Sequence, residues 1–127
     1  MARPPAKELT QRELEIMHVF WSRPQATAAE IRDQLADAGR ELAYTTVATL
    51  VRILTEKGFL EQTNAERPFQ YHAVRTFEEV SRSILGDLVE RVFCGSREQL
   101  LVRLLEQRRL SAKERAMLEA ILREKKS

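Results

Sequence analysis

The segment Tyr44-Thr45-Thr46-Val47-Ala48-Thr49-Leu50-Val51-Arg52-Ile53-Leu54-Thr55 decides the fold of this chain. Its larger apolar residues recur at the i, i+3, i+4 and i+7 spacing that places side chains on one face of an α-helix. The opposite face carries four threonines and one arginine, and the segment contains no acidic residue. Threonine is a mediocre helix former, so its concentration on one face calls for an explanation.

The polar face of this helix suits the major groove of DNA. Threonine contacts phosphates, base edges or thymine methyl groups, and arginine binds phosphate or guanine. The candidate DNA contacts on the helix are Tyr44, Thr45, Thr46, Thr49 and Arg52. We expect Tyr44 to contact the DNA backbone or to support the start of the helix. The alternative is an ordinary amphipathic helix whose exposed face is rich in threonine.

Two further helices precede this segment. Apolar spacing predicts a first helix over residues 11–22 and a second over residues 28–38, separated by a break at Pro24. Gly39 and Gly58 follow the second and third helices, where a glycine commonly ends a helix. Helices joined by short turns in this order predict a helix-turn-helix.

A β-hairpin follows the third helix. Alternating apolar and polar residues predict a strand over residues 69–74, with residues 59–63 as its partner and residues 64–68 as the turn. A hairpin directly after a helix-turn-helix predicts a winged helix. Arg67 lies at the predicted tip of the wing, where it is either a DNA contact or an exposed loop charge.

The remainder of the chain predicts three helices, over residues 77–93, 97–108 and 112–125. Their broad apolar stripes exceed what so few residues can bury alone, which favours packing against a second copy of the chain. The candidate dimerisation residues are Ile84, Leu88, Leu101, Leu104, Leu105, Leu118, Ile121 and Leu122. The alternative is a monomer whose C-terminal helices fold back onto the first domain.

Capping boxes mark five helix starts. In this motif Ser or Thr is followed three residues later by Glu or Gln, and each side chain satisfies a backbone N–H of the other. The pairs are Thr10 and Glu13, Thr27 and Glu30, Thr76 and Glu79, Ser96 and Gln99, and Ser111 and Glu114.

Composition sets limits on the partners. The 127 residues carry a net charge of only +2, so any DNA-binding surface must be a local patch, and two subunits acting together would strengthen it. One cysteine excludes an internal disulfide and fits a reducing cytoplasm. No apolar run is long enough to predict a transmembrane helix, and residues 1–8 read as a flexible arm without a signal peptide.

Catalytic and metal-binding constellations are not apparent in the sequence. His18 reads as structural rather than as a ligand, and His72 is either a polar strand residue or a phosphate contact. Neither has a carboxylate or cysteine at metal-ligand spacing. Cys94 is interpreted as a turn residue, with a redox-sensing thiol as the alternative. We therefore expect no enzyme, no metal and no cofactor.

Several segments resemble the penicillinase repressor family of winged-helix transcriptional repressors. They are residues 9–21, residues 43–50, residues 56–60, Tyr71 and residues 92–96, and the resemblance extends from Leu9 to Leu122. It implies a dimeric repressor with an N-terminal winged helix, a helical dimerisation domain and a palindromic operator near resistance or homeostasis genes.

The resemblance also implies ways to relieve repression. In the β-lactam branch a membrane sensor-protease triggers cleavage of an Asn-Phe bond, whose aligned position here is Arg103-Leu104. The copper branch uses four C-terminal cysteines, which this chain lacks.

These observations predict a mainly α-helical protein with a small β-hairpin. Residues 1–75 would form a winged-helix DNA-binding domain and residues 76–127 a helical dimerisation domain. The predicted function is a cytoplasmic homodimeric repressor that binds double-stranded DNA at an inverted repeat, with a sensor-protease as a possible upstream partner. The alternative is a winged helix that binds protein through Tyr44, Phe59 and the threonine face.

Overall fold

A computed structural model describes residues 9–126, apart from the side chains of residues 107, 125 and 126. The predicted flexible arm, with Arg3 and Lys7, lies outside the described residues. The elements in chain order are α1 Gln11–Trp21, β1 Ala26–Thr27, α2 Ala28–Asp37, α3 Tyr44–Glu56, β2 Leu60–Gln62, β3 Gln70–Ala73, α4 Phe77–Arg91, α5 Arg97–Gln107 and α6 Ala112–Lys126. The predicted fold class, mostly helical with a winged helix, is confirmed.

The sheet differs from the predicted hairpin by one strand. Its order is β1-β3-β2, with both pairings antiparallel. Ala26 pairs with Tyr71 on one side of β3, and Glu61 pairs with His72 on the other. Strand β1 has only two residues, too few to show an alternating pattern, and the sequence around Pro24 reads as a break.

All five predicted capping hydroxyls are used at helix starts. The hydroxyls of Thr10, Thr27, Thr76, Ser96 and Ser111 each accept from the backbone N–H three residues later, at 3.1–3.2 Å. Gly39 and Gly58 follow the caps of α2 and α3 with φ of 89° and 86°, the left-handed conformation that suits glycine after a helix. Helix α3 begins without such a cap, because its N-cap residue is Ala43.

The chain divides into two compact units, residues 1–85 and residues 86–127. The first unit contains the core, in which the largest fully buried apolar side chains are Phe59, Ile16, Met17, Ile31, Leu54, Val47, Val51 and Val80. Val80 comes from the first half of α4, which therefore belongs to the winged-helix unit. The division into a DNA-binding and a dimerisation domain after Arg75 stays a prediction.

The second unit exposes its large apolar side chains. Leu101, Leu104, Leu105, Leu118, Ile121 and Leu122 are each between 43% and 55% exposed. Ile84 differs from these candidate dimerisation residues, since it lies in the first unit and packs partly against the winged-helix core.

Candidate nucleic-acid interface

Helix α3 buries one face and exposes the other. Val47, Val51 and Leu54 are buried in the core. On the opposite side Thr45, Thr49 and Arg52 are exposed, whereas Thr46 is half-buried. The polar face predicted from the sequence is therefore accessible, with Thr46 at its edge. The fourth threonine, Thr55, donates its hydroxyl to the Val51 carbonyl at 2.8 Å within the helix.

An ion pair between a buried carboxylate and a partly exposed lysine anchors the C-terminal end of α3. Lys57, the C-cap residue, donates to both carboxylate oxygens of Glu13 on α1, at 3.2 and 3.0 Å. Glu13 is only 2% exposed and also accepts from the Thr10 backbone N–H at 2.7 Å. Burial raises the pKa of Glu13, but the Thr10 N–H and the Lys57 ammonium together lower the pKa below its ordinary value. The carboxylate is therefore ionised when it fixes α3 to α1.

A cleft of about 750 Å³ separates α3 from the wing. Three of the predicted DNA contacts line it: Tyr44, Arg52 and Arg67. The threonines Thr45, Thr46 and Thr49 do not line the cleft and lie elsewhere on α3. The structure thus divides the candidate contacts into a helix surface and a helix–wing cleft.

Both arginines of the cleft, Arg52 and Arg67, make weak contacts that groups of a bound DNA could replace. Arg52 donates to Glu56 at 2.9 Å, in an i,i+4 pair whose side chains are both mostly exposed. The Arg67 guanidinium lies 5.4 Å from the centre of the Phe69 ring. Exposed ion pairs contribute only about 0–1 kcal/mol, so an incoming phosphate or base can replace Glu56 at little cost.

Several lining residues of the cleft were absent from the sequence prediction. These are Thr27, Ala28, Ala29, Ala48, Val51, Gln62, Pro68, Phe69 and Tyr71. Phe69 and Tyr71 are two apart in the predicted strand, so strand periodicity alone places them on one face. Arg32 on α2 was also missed, although its guanidinium lies 5.8 Å from the Tyr44 ring centre. Local sequence patterns do not predict a contact between residues of two different helices, such as Arg32 and Tyr44.

Other residues singled out in the sequence take simpler positions. Trp21 is half-buried against the core, and its Nε1 donates to the Arg75 carbonyl at 2.8 Å. Cys94 is exposed between α4 and α5. Phe59 is fully buried, so its predicted part in an alternative protein-binding surface is wrong. Across the described part of the chain, no group of His, Cys, Asp and Glu is arranged to hold a metal ion, and no helix is long and apolar enough to cross a membrane.

The three-helix core, the antiparallel wing and the outward polar face of α3 define a winged helix-turn-helix protein of the DNA-binding type. The profile of the penicillinase repressor family matches residues 9–124. The chain belongs to the penicillinase repressor family, and the predicted resemblance is confirmed. Family members are transcriptional repressors, which are not enzymes, so the expectation that this chain is no enzyme is also confirmed.

Individual relatives agree with this assignment. The chain is 25% identical over 118 residues to the methicillin resistance regulatory protein MecI of Mammaliicoccus sciuri, covering 93% of this chain and 95% of the relative. It is 31% identical over 95 residues to the transcriptional regulator BlaI of Mycobacterium tuberculosis, covering 74% and 69%. The solution structure of the DNA-binding domain of the repressor BlaI matches with a TM-score of 0.52 and 24% identity, over 62% of this chain and 93% of that domain. At this identity the structural match supports the fold alone.

Proposed function

We propose that this protein is a homodimeric transcriptional repressor that binds an inverted-repeat DNA operator and acts in the cytoplasm, where its operator lies. Thr45, Thr46 and Thr49 approach base edges in the major groove, and Arg52 binds a phosphate or a guanine. Tyr44 contacts the DNA backbone beside the start of α3, and Arg67 reaches DNA from the wing. The relatives' names associate the family with resistance to β-lactams, which makes resistance genes the first candidates for regulation.

The observation that carries the proposal is the exposed polar face of α3 beside a cleft lined by Arg52 and Arg67. A helix in the major groove gains affinity from cationic and small polar side chains on its outward face, because these reach phosphates and base edges. Here the outward face offers Thr45, Thr49 and Arg52, and the one acidic residue of α3, Glu56, is paired with Arg52. The wing adds a second cation across the cleft, at a place where a backbone phosphate would pass.

The dimer is supported by the apolar surface of the second unit. Exposed apolar patches of this kind mark contacts with another protein, and all the residues predicted for dimerisation except Ile84 are among the exposed large apolar side chains. A dimer compensates for the small net charge of one chain, because two linked winged helices that occupy two half-sites bind the duplex more tightly than one winged helix does. A two-fold dimer requires an operator with two-fold symmetry.

An upstream sensor-protease is the partner that the family resemblance implies for relieving repression. Its target would be the bond between Arg103 and Leu104 within α5, where both residues are exposed. Arg103 donates to Glu106 at 2.8 Å across the same helical turn. Cleavage therefore requires local unwinding of α5, and mass spectrometry of the protein from induced cells would detect the two fragments.

Selection from a randomised duplex library with the full-length protein tests the proposal. We expect enrichment of an inverted repeat whose half-sites lie about 10 base pairs apart or at a multiple of that spacing. Affinity for the enriched duplex should fall steeply with salt, because phosphate contacts release counterions. A protein-binding winged helix predicts no enrichment and no saturable, salt-dependent binding, and that result would reject the proposal.

Variants then separate base contacts from phosphate contacts. We expect Thr49→Ala to cost about 1–3 kcal/mol of binding free energy at one operator position and to relax the preference there. Arg67→Ala should weaken all sequences alike and reduce the salt dependence. The matched control is Arg82→Ala on α4, an exposed arginine outside the cleft lining, which should leave binding unchanged.

A further inference from the structure

A second cavity lies in the winged-helix unit, and the DNA contacts proposed above do not line it. Its volume is about 320 Å³, at the small end of the roughly 300–1,000 Å³ typical of ligand pockets. The cavity is lined by Phe20, Trp21, Arg23, Pro24, His72, Ala73, Thr76, Phe77 and Glu78.

Aromatic rings form the apolar part of the lining. The Trp21 and Phe77 rings meet edge to face, with centres 5.4 Å apart and planes at 73°. Phe77 is 48% exposed although it belongs to this cluster. Aromatic faces of this kind attract organic cations as well as apolar groups.

Most polar groups of the lining already have partners within the protein. The Arg23 guanidinium donates to the Gln25 carbonyl, to Gln34 and to Glu30. The Thr76 hydroxyl accepts from a backbone N–H of α4, and Trp21 Nε1 is bonded to the Arg75 carbonyl. These three side chains hold the cavity in shape rather than offering free groups to a ligand.

Two polar groups of the lining remain without partners. The His72 side chain is 40% exposed, but its Nε2 atom is covered and makes no hydrogen bond to a described residue. The Glu61 carboxylate oxygen is 3.7 Å from Nε2, too far for a hydrogen bond. The Glu78 carboxylate also has no hydrogen bond or ion pair to any described residue. A buried nitrogen without a partner is costly unless a ligand satisfies it.

A primary ammonium complements both of these groups. Its N–H donors can bond the Glu78 carboxylate, and they can bond His72 Nε2 once the partly exposed imidazole rotates to uncover that nitrogen. Its organic body then contacts the rings of Trp21 and Phe77. A carboxylate ligand would instead meet the negative charge of Glu78, whereas the cation of the lining, Arg23, is already paired with Glu30. We propose that this cavity binds a small organic ammonium ion with an aromatic or apolar body, between His72 Nε2, Glu78 and the Trp21–Phe77 ring pair. The proposal is independent of DNA binding.

The single tryptophan of the chain provides a direct test. Phenethylammonium is titrated into the full-length protein while Trp21 fluorescence is recorded, and calorimetry is run on the same samples. Phenethyl alcohol is the neutral control and 3-phenylpropionate the anionic control. We expect saturable binding of the ammonium, and binding of both controls weaker by about tenfold or more.

A charge-removing variant locates the site. Glu78→Gln should weaken phenethylammonium by about tenfold and leave the weak binding of phenethyl alcohol unchanged, whereas Glu66→Gln on the wing should change neither. Because Glu78 is exposed in the first turn of α4, where its charge contributes at most about 1 kcal/mol to the helix, this variant should unfold close to the wild-type temperature. The proposal is overturned by an absence of saturable binding in both measurements, by equal binding of the alcohol or the acid, or by wild-type affinity in Glu78→Gln.

Discussion

The two units of this chain solve the burial of apolar side chains in opposite ways. Residues 1–85 enclose a core in which Phe59, Ile16 and Leu54 have no solvent exposure. Residues 86–127 have helices of similar length but leave most of their leucines between 38% and 55% exposed. Because every buried apolar side chain among the described residues lies at or before Val80, only the first unit completes a core from its own sequence.

This difference in burial indicates which parts of the molecule one chain can stabilise alone and which parts need a second chain. The first unit positions α3 with its own elements, since α1, α2 and β2 all pack against that helix. The second unit gains by covering its apolar surface with another protein surface. Stability of the first unit should therefore be a property of the monomer, and stability of the second should depend on protein concentration.

The largest effect should come from the core of the first unit. Phe59→Ala removes a fully buried ring and should lower the free energy of unfolding by about 3–5 kcal/mol, at every protein concentration. Leu122→Ala, at a side chain that is 53% exposed, should lower it only where the chain dimerises. Denaturant unfolding over a range of protein concentrations measures both, and a concentration-independent loss in Leu122→Ala would contradict the comparison.

The next largest effect should appear in DNA binding when the second unit is made polar. Leu104→Asp combined with Leu118→Asp places charges in two exposed apolar patches and should convert the dimer to monomers. Affinity for the enriched duplex should then fall by about a hundredfold, because the two half-sites are no longer linked. Sedimentation equilibrium and a gel-shift titration provide the readouts.

The control for this change is Gln99→Asp, which adds one negative charge, against two in the double variant, at an exposed polar position of α5. It should remain dimeric and bind as the wild type does. If the double variant still sediments as a dimer, the apolar surface of the second unit is not the dimer interface.

A smaller effect should follow from breaking the ion pair that anchors α3 within the first unit. Glu13→Gln should cost about 2 kcal/mol at neutral pH, less than the roughly 3–5 kcal/mol of a fully buried pair, because Lys57 is 28% exposed. The folded pKa of Glu13 lies below its ordinary value of 4.5, so the unfolded chain takes up the proton first. The stabilisation is therefore complete above about pH 4.5 and is lost as the pH falls through the folded pKa.

Unfolding measured at pH 7 and at pH 4 distinguishes the pair from a simple packing contribution. The difference in stability between wild type and Glu13→Gln should shrink at the lower pH. A constant difference would show that the charge of Glu13 contributes nothing. Glu15→Gln is the matched control, because Glu15 pairs with Arg40 at the surface and should change stability little.

Local patterns were sufficient to predict most of the helices and the wing. The spacing of Val47, Val51 and Leu54 determined which face of α3 is buried, because a helix has a fixed period. Capping boxes located helix starts, because Ser and Thr hydroxyls satisfy N–H groups within one turn. These interactions join residues close in sequence, and sequence patterns report them directly.

Long-range contacts could not be predicted in the same way. Strand β1 exists because Ala26 meets Tyr71, and the anchor of α3 exists because Lys57 reaches Glu13 on another helix. The cleft likewise depends on the distance between α3 and Arg67, which no local period encodes. Phe59 was misplaced for the same reason, since it is buried in a core shared with residues of α1 and α2 that lie far from it in sequence.

The smallest predicted effect compares one capping box from each unit. Thr10→Ala should lower the free energy of unfolding by about 1 kcal/mol, because the same capping box positions Glu13, which forms the ion pair with Lys57.

In the second unit the Ser111 backbone N–H donates to Glu114 and holds the pKa of that carboxyl below its ordinary value. Glu114 has no further hydrogen-bond or ion-pair partner among residues 9–126, so Ser111→Ala should destabilise the first turn of α6 and change global unfolding less than Thr10→Ala does. Amide exchange of α6 measures the local effect, with Thr10→Ser and Ser111→Thr as conservative controls. If Ser111→Ala lowers global stability as much as Thr10→Ala, α6 unfolds together with the winged helix and the two units are not energetically separate.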